Sequence, residues 1–255
     1  MILQVKNITK KFGGVTAIKE TSFTVEKKEI YGLIGPNGAG KTTMFNIITG
    51  NYQANEGEVI FEEKLLNGLK PYKIVRRGIA RTFQNIRLFK TMSVMDNVLI
   101  GFDHQAKYGY LESAFRLPRF FNQEKRIKKR AMEILEYFGI AEVSESLATD
   151  LSYGQQRKVE IARALATNPR ILLLDEPAAG MNPAETKELG ELIKNARDDF
   201  DLTVLLIEHD MKFVNQLCDK VLVLDYGKTI FEGEPAVAIK DKEVIAAYLG
   251  DFSHD

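Results

Sequence analysis

The stretch EIYGLIGPNGAGKTTMFNII, residues 29–48, decides how this chain folds. Residues 29–35 are a short apolar run of the kind that forms a strand buried on both faces. Residues 41–49 carry a helical pattern. Between them Gly35, Pro36, Asn37, Gly38, Ala39 and Gly40 form a loop whose backbone can wrap closely around an anion, because glycine reaches conformations that a Cβ forbids. Strand, glycine-rich loop, Lys41, Thr42 and helix together fit the pattern G-x-x-x-x-G-K-[ST]. Such a loop aims its N–H groups at phosphate, and the helix start behind it adds about half a positive charge. Lys41 has the reach for the β- and γ-phosphates of a nucleotide, and Thr42 has the hydroxyl to hold Mg²⁺. A dinucleotide fingerprint fits less well, since Gly35, Gly38 and Gly40 do not spell G-x-G-x-x-G.

Outward from this loop, residues 170–176, 202–209 and 220–225 are further apolar runs that suit parallel strands. Helical patterns at 155–167, 184–198 and 210–217 separate them, and the alternation predicts an α/β domain. Residues 2–8, 22–25 and 58–64 alternate or are rich in β-formers, and predict an antiparallel β-subdomain. Residues 225–235 read as a hairpin return around a glycine turn. A different block, roughly 85–150, predicts a mostly helical subdomain inserted into the α/β core. Its strongest helix spans 123–140, with Ile127, Met132, Leu135 and Phe138 on the expected buried face. The basic run Lys125–Arg130 has acidic residues on both sides and reads as a solvated helix face.

Composition removes several function classes. Thirty-five basic and 35 acidic residues cancel, so no global field draws in nucleic acid. One cysteine, Cys218, excludes an internal disulfide and fits a reducing compartment. Three histidines, at 104, 209 and 254, are too dispersed for a zinc site. The first residues, MILQVKNITKKFGG, lack the pattern of a signal peptide. No apolar run reaches the ~18–20 residues that span a bilayer, so a membrane role would act through a partner.

Two further stretches carry chemistry. ILLLDE, residues 171–176, ends a strand pattern on two carboxylates. Asp175 is placed to bind Mg²⁺, and Glu176, one residue on, to orient or deprotonate an attacking water; a base so positioned gives about 10²–10⁴ in rate. The other stretch is DLSYGQQRKVEIARALATNP, residues 150–169. A polar turn, Ser152-Tyr153-Gly154-Gln155, opens a helix with Val159, Ala162 and Ala166 on one face. Serine is a common cap, but the tyrosine, glycine and glutamines after it are expected to serve something other than capping. A helix end bearing a hydroxyl and a glycine amide is suited to an anion.

A phosphate loop, a strand ending in Asp-Glu and a helix led by LSYGQ resemble the ATP-binding-cassette family, over nearly the whole chain. The family's signature usually reads L-S-G-G-Q; here Leu151, Ser152, Gly154 and Gln155 match and Tyr153 departs. The resemblance implies a single cassette over residues 1–255 with a P-loop NTPase α/β core. Residues 1–84 and 168–255 would form that core with its antiparallel β-subdomain, and 85–167 the helical subdomain that carries the signature. ATP would be held by Phe12, stacked on adenine, and by residues 35–43, including Thr43. A second cassette, identical or paralogous, would contribute Ser152, Gly154 and Gln155. Catalysis would rest on Glu176, His209 and Gln84, and Mg²⁺ on Thr42, Gln84 and Asp175. The loop after Glu176 carries Asn182 where the commoner family form has aspartate.

Within the family, RTFQNIRLFKTMSVMDNVLIG (81–101), EPAAGMNPAE (176–185), the signature helix, an extra helical stretch at 102–130 and the tail 244–252 look like the ATPases of branched-chain amino-acid importers. The implied setting is the cytoplasmic face of a membrane, with transmembrane permease subunits as partners, a periplasmic or extracellular substrate-binding protein acting indirectly, and no nucleic acid. Leu88 and Phe89 are expected either to line a docking groove or to be subdomain core. Lipopolysaccharide-export ATPases share the tail but lack the RTFQ form and the long insertion. A soluble ATP-switched cassette protein would keep the same motifs, whereas a DNA-repair cassette would need long coiled-coil arms.

Overall fold

The computed structural model describes residues 1–105 and 118–250. Residues 106–117 and 251–255 lie outside the described residues, and with them part of the expected helical stretch 102–130 and the end of the tail at 244–252. In chain order the strands are β1 Leu3–Phe12, β2 Val15–Val25, β3 Ile30–Ile34, β4 Glu56–Phe61, β5 Lys64–Leu65, β6 Ile79–Arg81, β7 Ile171–Asp175, β8 Thr203–Ile207, β9 Lys220–Asp225 and β10 Lys228–Gly233. The α-helices are α1 Lys41–Ile48, α2 Pro71–Arg76, α3 Val94–Leu99, α4 Pro118–Tyr137, α5 Tyr153–Ala166, α6 Pro183–Asp199, α7 Met211–Leu217, α8 Pro235–Ala238 and α9 Lys242–Gly250.

Residues 1–81 and the chain from 170 onward form one compact unit, and residues 82–169 form another. The seams lie a few residues from the expected 84/85 and 167/168. Thr82 onward leaves β6, and the amide and carbonyl of Phe83 bond to side chains of α5. At the other seam the Asn168 N–H still donates to the Leu165 carbonyl at 2.8 Å, which keeps that residue with its helix.

In the α/β unit, one sheet is antiparallel in the order β2-β1-β4-β5. The other has the order β10-β9-β3-β8-β7-β6, with β9, β3, β8, β7 and β6 parallel and β10 returning antiparallel beside β9. Every residue of β3, β7 and β8 is buried, as their unbroken apolar runs require. One apolar cluster joins Leu3, Val5 and Ile8 of β1 and Phe61 of β4 to Phe45 and Ile48 of α1 and to Leu33, Leu173, Leu205 and Leu222 of the parallel sheet. At about 25 cal/mol per Å² of apolar surface, such burial is the main stabilising term of the unit. Residues of opposite parity on the same strands, such as Leu172, Leu206 and Val223, are equally buried on the other face.

Strand β2 starts at Val15, well before the expected residue 22. Only Ile18, Thr21, Phe23 and Val25 of it are buried, and a register shift between Thr21 and Ile18 breaks the alternation that betrays a strand. In the helical unit the buried face of α4 is Ala131, Ile134, Leu135 and, just past its end, Phe138. Ile127 and Met132 are only half-buried, which corrects the expected face by part of a turn. Helix α5 buries Val159, Ala162 and Ala166 as expected, but it also buries Arg157 and Glu160 completely.

Candidate functional site

The site begins where parallel strands end. Register sets Leu33 of β3 opposite Ile207 of β8, and Ile207 opposite Asp175 of β7. The phosphate loop, Glu176 and Glu208–His209 therefore leave one edge of the sheet side by side, the carboxyl end at which open α/β sheets bind ligands. Gly35, Gly38 and Gly40 all have positive φ. A Cβ on Gly40 would lie 2.5 Å from the Ala17 carbonyl oxygen, and one on Gly35 would run into that of Leu224. Only glycine lets the loop nest this closely. Lys41, the first residue of α1, is buried, and its Nζ donates to the carbonyls of Gly35 at 2.6 Å and Pro36 at 2.8 Å. Those bonds hold the ammonium inside its own loop, where an incoming phosphate would take it over. Thr42 is exposed at the helix start, and Thr43 is half-buried behind it.

Asp175 is buried at the end of β7 and accepts from Arg81 Nη2 at 2.8 Å. Arg81 is itself held by Asn46 Oδ1 at 2.7 Å and lies over the Phe45 ring. Glu176 follows in a left-handed backbone conformation, φ +46°, with its amide donating to the Ile207 carbonyl. For a non-glycine residue that conformation costs on the order of 1–3 kcal/mol, and here the carboxylate lies near His209. His209 is largely exposed, and its Nδ1 stands 3.8 Å from Glu176 Oε2 and 3.8 Å from Glu208 Oε2. Glu208 is buried, and its two oxygens accept from the amides of Ala178 at 3.0 Å and His209 at 3.2 Å. Burial raises its pKa, while the two amides and His209 oppose the rise. It thus ties the loop after Glu176 to the loop bearing His209. Asn182 caps α6, accepting from Ala184 and Glu185 amides and closing a capping box with Glu185.

Phe12, at the end of β1, is 41% exposed and meets Tyr52 edge-on at 5.2 Å, with Lys10 Nζ 4.8 Å from its centroid. It is a surface aromatic and not core.

In the helical unit, Ser152 is the N-cap of α5 and Tyr153, Gly154 and Gln155 are its first turn. The Gln155 amide donates to Ser152 Oγ at 3.3 Å, and the Ser152 amide to Gln155 Oε1 at 3.1 Å. Gln156 Nε2 donates to the Leu151 carbonyl. The expectation that these glutamines have no part in capping is therefore corrected: Gln155 completes a capping box, and its presence three residues after a serine was the signal. Tyr153 and Gly154 take no part in that box. Gln84 has an exposed side chain, and its carbonyl accepts from Arg157 Nη2 at 2.8 Å. Phe89 is 50% exposed, so it is not subdomain core; Leu88 is half-buried.

The structure gathers residues 35–43, Asp175, Glu176 and His209 along the sheet edge of the α/β unit. It carries Gln84, Ser152, Gly154 and Gln155 on the helical unit. Sequence reading assigned no role to Arg81, Arg157, Glu160 and Glu208, charged residues whose side chains the fold buries. Burying a charge is costly unless it is paired, but Arg157 stands in the polar run Gln155–Lys158, where nothing in the sequence marks its burial.

The sequence pattern of the ABC transporter family matches residues 18–179. The high-affinity branched-chain amino acid transport ATP-binding protein BraF of Pseudomonas aeruginosa is 43% identical over 98% of both chains. The crystal structure of the ADP conformation of MJ1267, an ATP-binding cassette of an ABC transporter, superposes with a TM-score of 0.86 at 35% identity, covering 98% of each chain. A dimeric structure of MJ0796, a bacterial ABC transporter cassette, has a TM-score of 0.77 at 27% identity over 92% of this chain and 99% of that one. A family pattern over more than half of the chain and relatives that cover 98% of it make the chain a member of the ABC transporter family.

Proposed function

We propose that the chain is the ATP-hydrolysing subunit of a branched-chain amino-acid importer, acting as a pair of cassettes on the cytoplasmic face of a membrane. The observation that carries the hydrolytic part is the shared sheet edge, where the phosphate loop, Asp175, Glu176 and His209 leave adjacent strands. The phosphate loop and Lys41 bind the triphosphate, and Phe12 offers an exposed ring to the base. Glu176 Oε2 and His209 Nδ1, 3.8 Å apart, share the task of holding and deprotonating the attacking water.

Hard oxygen donors suit Mg²⁺, and the Thr42 hydroxyl and the Asp175 carboxylate would hold it. Bound there, the ion would neutralise charge on the β- and γ-phosphates. By resemblance, Gln84 would join Mg²⁺ and the attacking water to the helical unit.

Among the described residues no helix is long and apolar enough to cross a membrane. By resemblance, transmembrane permease subunits are the proposed partners. Exposed Phe89 is the proposed contact for one of them, and a substrate-binding protein would deliver cargo to the permease. Ser152, Gly154 and Gln155 would face the ATP of the second cassette. Branched-chain amino acids as cargo follow from the likeness to BraF over both whole chains.

Glu176→Gln with ATP is expected to form a stable dimer in size-exclusion chromatography. Adding Ser152→Arg should abolish the dimer and leave fluorescent-nucleotide binding intact. A dimer that survives Ser152→Arg would refute the shared site. Affinity purification in mild detergent should bring permease subunits down with the tagged chain, and Phe89→Asp should lose them.

A further inference from the structure

Arg157 is the largest completely buried side chain among the described residues, and it lies one turn into the signature helix. Its Nη1 donates to the Phe83 carbonyl at 2.8 Å and to Glu160 Oε2 at 2.7 Å. Its Nη2 donates to the Gln84 carbonyl at 2.8 Å and to the Tyr153 hydroxyl at 3.3 Å. Glu160 in turn accepts from the amides of Phe83 at 3.4 Å and Arg87 at 3.3 Å. Residues 83–87 have no helix or strand of their own. Side chains of α5 thus supply backbone partners on both sides of Gln84. Arg163, two turns along the same helix, adds a bond to the Arg87 carbonyl at 2.6 Å.

We propose that Arg157, paired with Glu160, is a positioning residue that sets the backbone of Gln84 and makes the signature helix and the glutamine segment one rigid piece. A displacement of the Ser152 end of α5 then carries Gln84 with it. Tyr153 joins the same clamp: the residue that departs from the family signature places its hydroxyl on the guanidinium. The inference rests on the functional reading above for what Gln84 and Ser152 do, but the clamp itself is a matter of geometry.

Arg157→Lys keeps the charge beside Glu160 and removes the planar fork that reaches two carbonyls, a carboxylate and a hydroxyl at once. In the full chain, this substitution should lower ATPase kcat by about tenfold. In a Gln84→Ala background it should lower kcat no further than about twofold, because the residue it positions is gone. Full multiplication of the two losses would overturn the proposal, as a merely stabilising arginine acts independently of Gln84. Tyr153→Phe, which keeps the ring and deletes only the hydroxyl, should show a smaller loss of the same dependence if Arg157→Lys does not fold. Nitroxide labels at the exposed positions Asn85→Cys and Thr149→Cys, in a Cys218→Ser chain, give a direct reading without nucleotide. A narrow distance distribution that broadens with Arg157→Lys at unchanged helix content supports the clamp, and an unchanged distribution overturns it. Failure of the functional reading would appear separately, as Glu176→Gln retaining turnover or the ATP dimer surviving Ser152→Arg, with the label distances unaffected.

Discussion

The sheet edge of the α/β unit and the 83–89 segment of the helical unit both present candidate site residues, but they hold them by different physics. At the sheet edge the backbone does most of the positioning. Register levels three strand ends, glycines at positive φ shape the loop, and Glu176 is turned by its own left-handed conformation. In the helical unit, side chains do the positioning. The 83–89 segment is held by Arg157, Glu160, Arg163 and Asn97, which bonds both the amide and the carbonyl of Phe89. A backbone-built site depends on particular glycines, and a side-chain-built one depends on buried charge.

That difference has a large consequence for stability. Arg157→Met removes the cation paired with the buried Glu160 carboxylate and a donor from each of the Phe83 and Gln84 carbonyls. Breaking a buried pair in this way costs about 3–5 kcal/mol, readable in urea denaturation. For an isolated buried pair, removing both charges restores most of the loss. Here Arg157→Met with Glu160→Leu should not, because the amides of Phe83 and Arg87 lose their acceptor as well. Recovery to within about 1 kcal/mol of the unmodified chain would show that the ion pair, and not the backbone it holds, is what matters.

A smaller effect is expected at the sheet edge. Gly40→Ala brings a Cβ against the Ala17 carbonyl at a φ of +103° and should destabilise by about 1–3 kcal/mol. Nucleotide affinity should fall more steeply than stability, because the strain lies in the loop proposed to cradle phosphate. Unchanged fluorescent-nucleotide binding would argue that the loop is not shaped by its glycines.

The smallest effect concerns Glu208. Burial raises its folded pKa above the unfolded value, so the folded form holds the proton more tightly. Its stabilising contribution is then present below the unfolded pKa and lost as pH rises through the folded one. Relative to Glu208→Gln, which cannot titrate, the unmodified chain should lose unfolding free energy as pH rises above the usual glutamate range. Comparing the two across pH cancels any constant effect of the amide. A difference that stays flat would mean that burial does not raise the Glu208 pKa.

The sheet edge was legible in the sequence because its devices are local. Gly35 through Thr42 form a contiguous motif, and Asp175 and Glu176 end a run whose burial shows in its apolar letters. His209 follows a run of the same kind. The helical unit was legible as helices, but not in how it holds Gln84. Arg157 and Phe83 are far apart in sequence, and their bond leaves no periodic trace. Glu160 reads as an ordinary polar residue until its burial is seen. The same holds for Arg81 with Asp175, a pair that joins two adjacent strands and lies beyond any spacing rule. Gln155 is a different case: its capping role was written in the three-residue spacing from Ser152 and was passed over in favour of the nucleotide.

The most direct test of hydrolysis at the sheet edge is the steady-state Mg²⁺-ATPase rate of Glu176→Gln beside that of the unmodified chain, with ATP affinity measured on both. Glutamine keeps an oxygen that accepts a hydrogen bond but removes the base. The predicted result is a loss of turnover by about 10²-fold or more with nucleotide affinity preserved. Turnover within about threefold of the unmodified chain would contradict the assignment of Glu176 as the base.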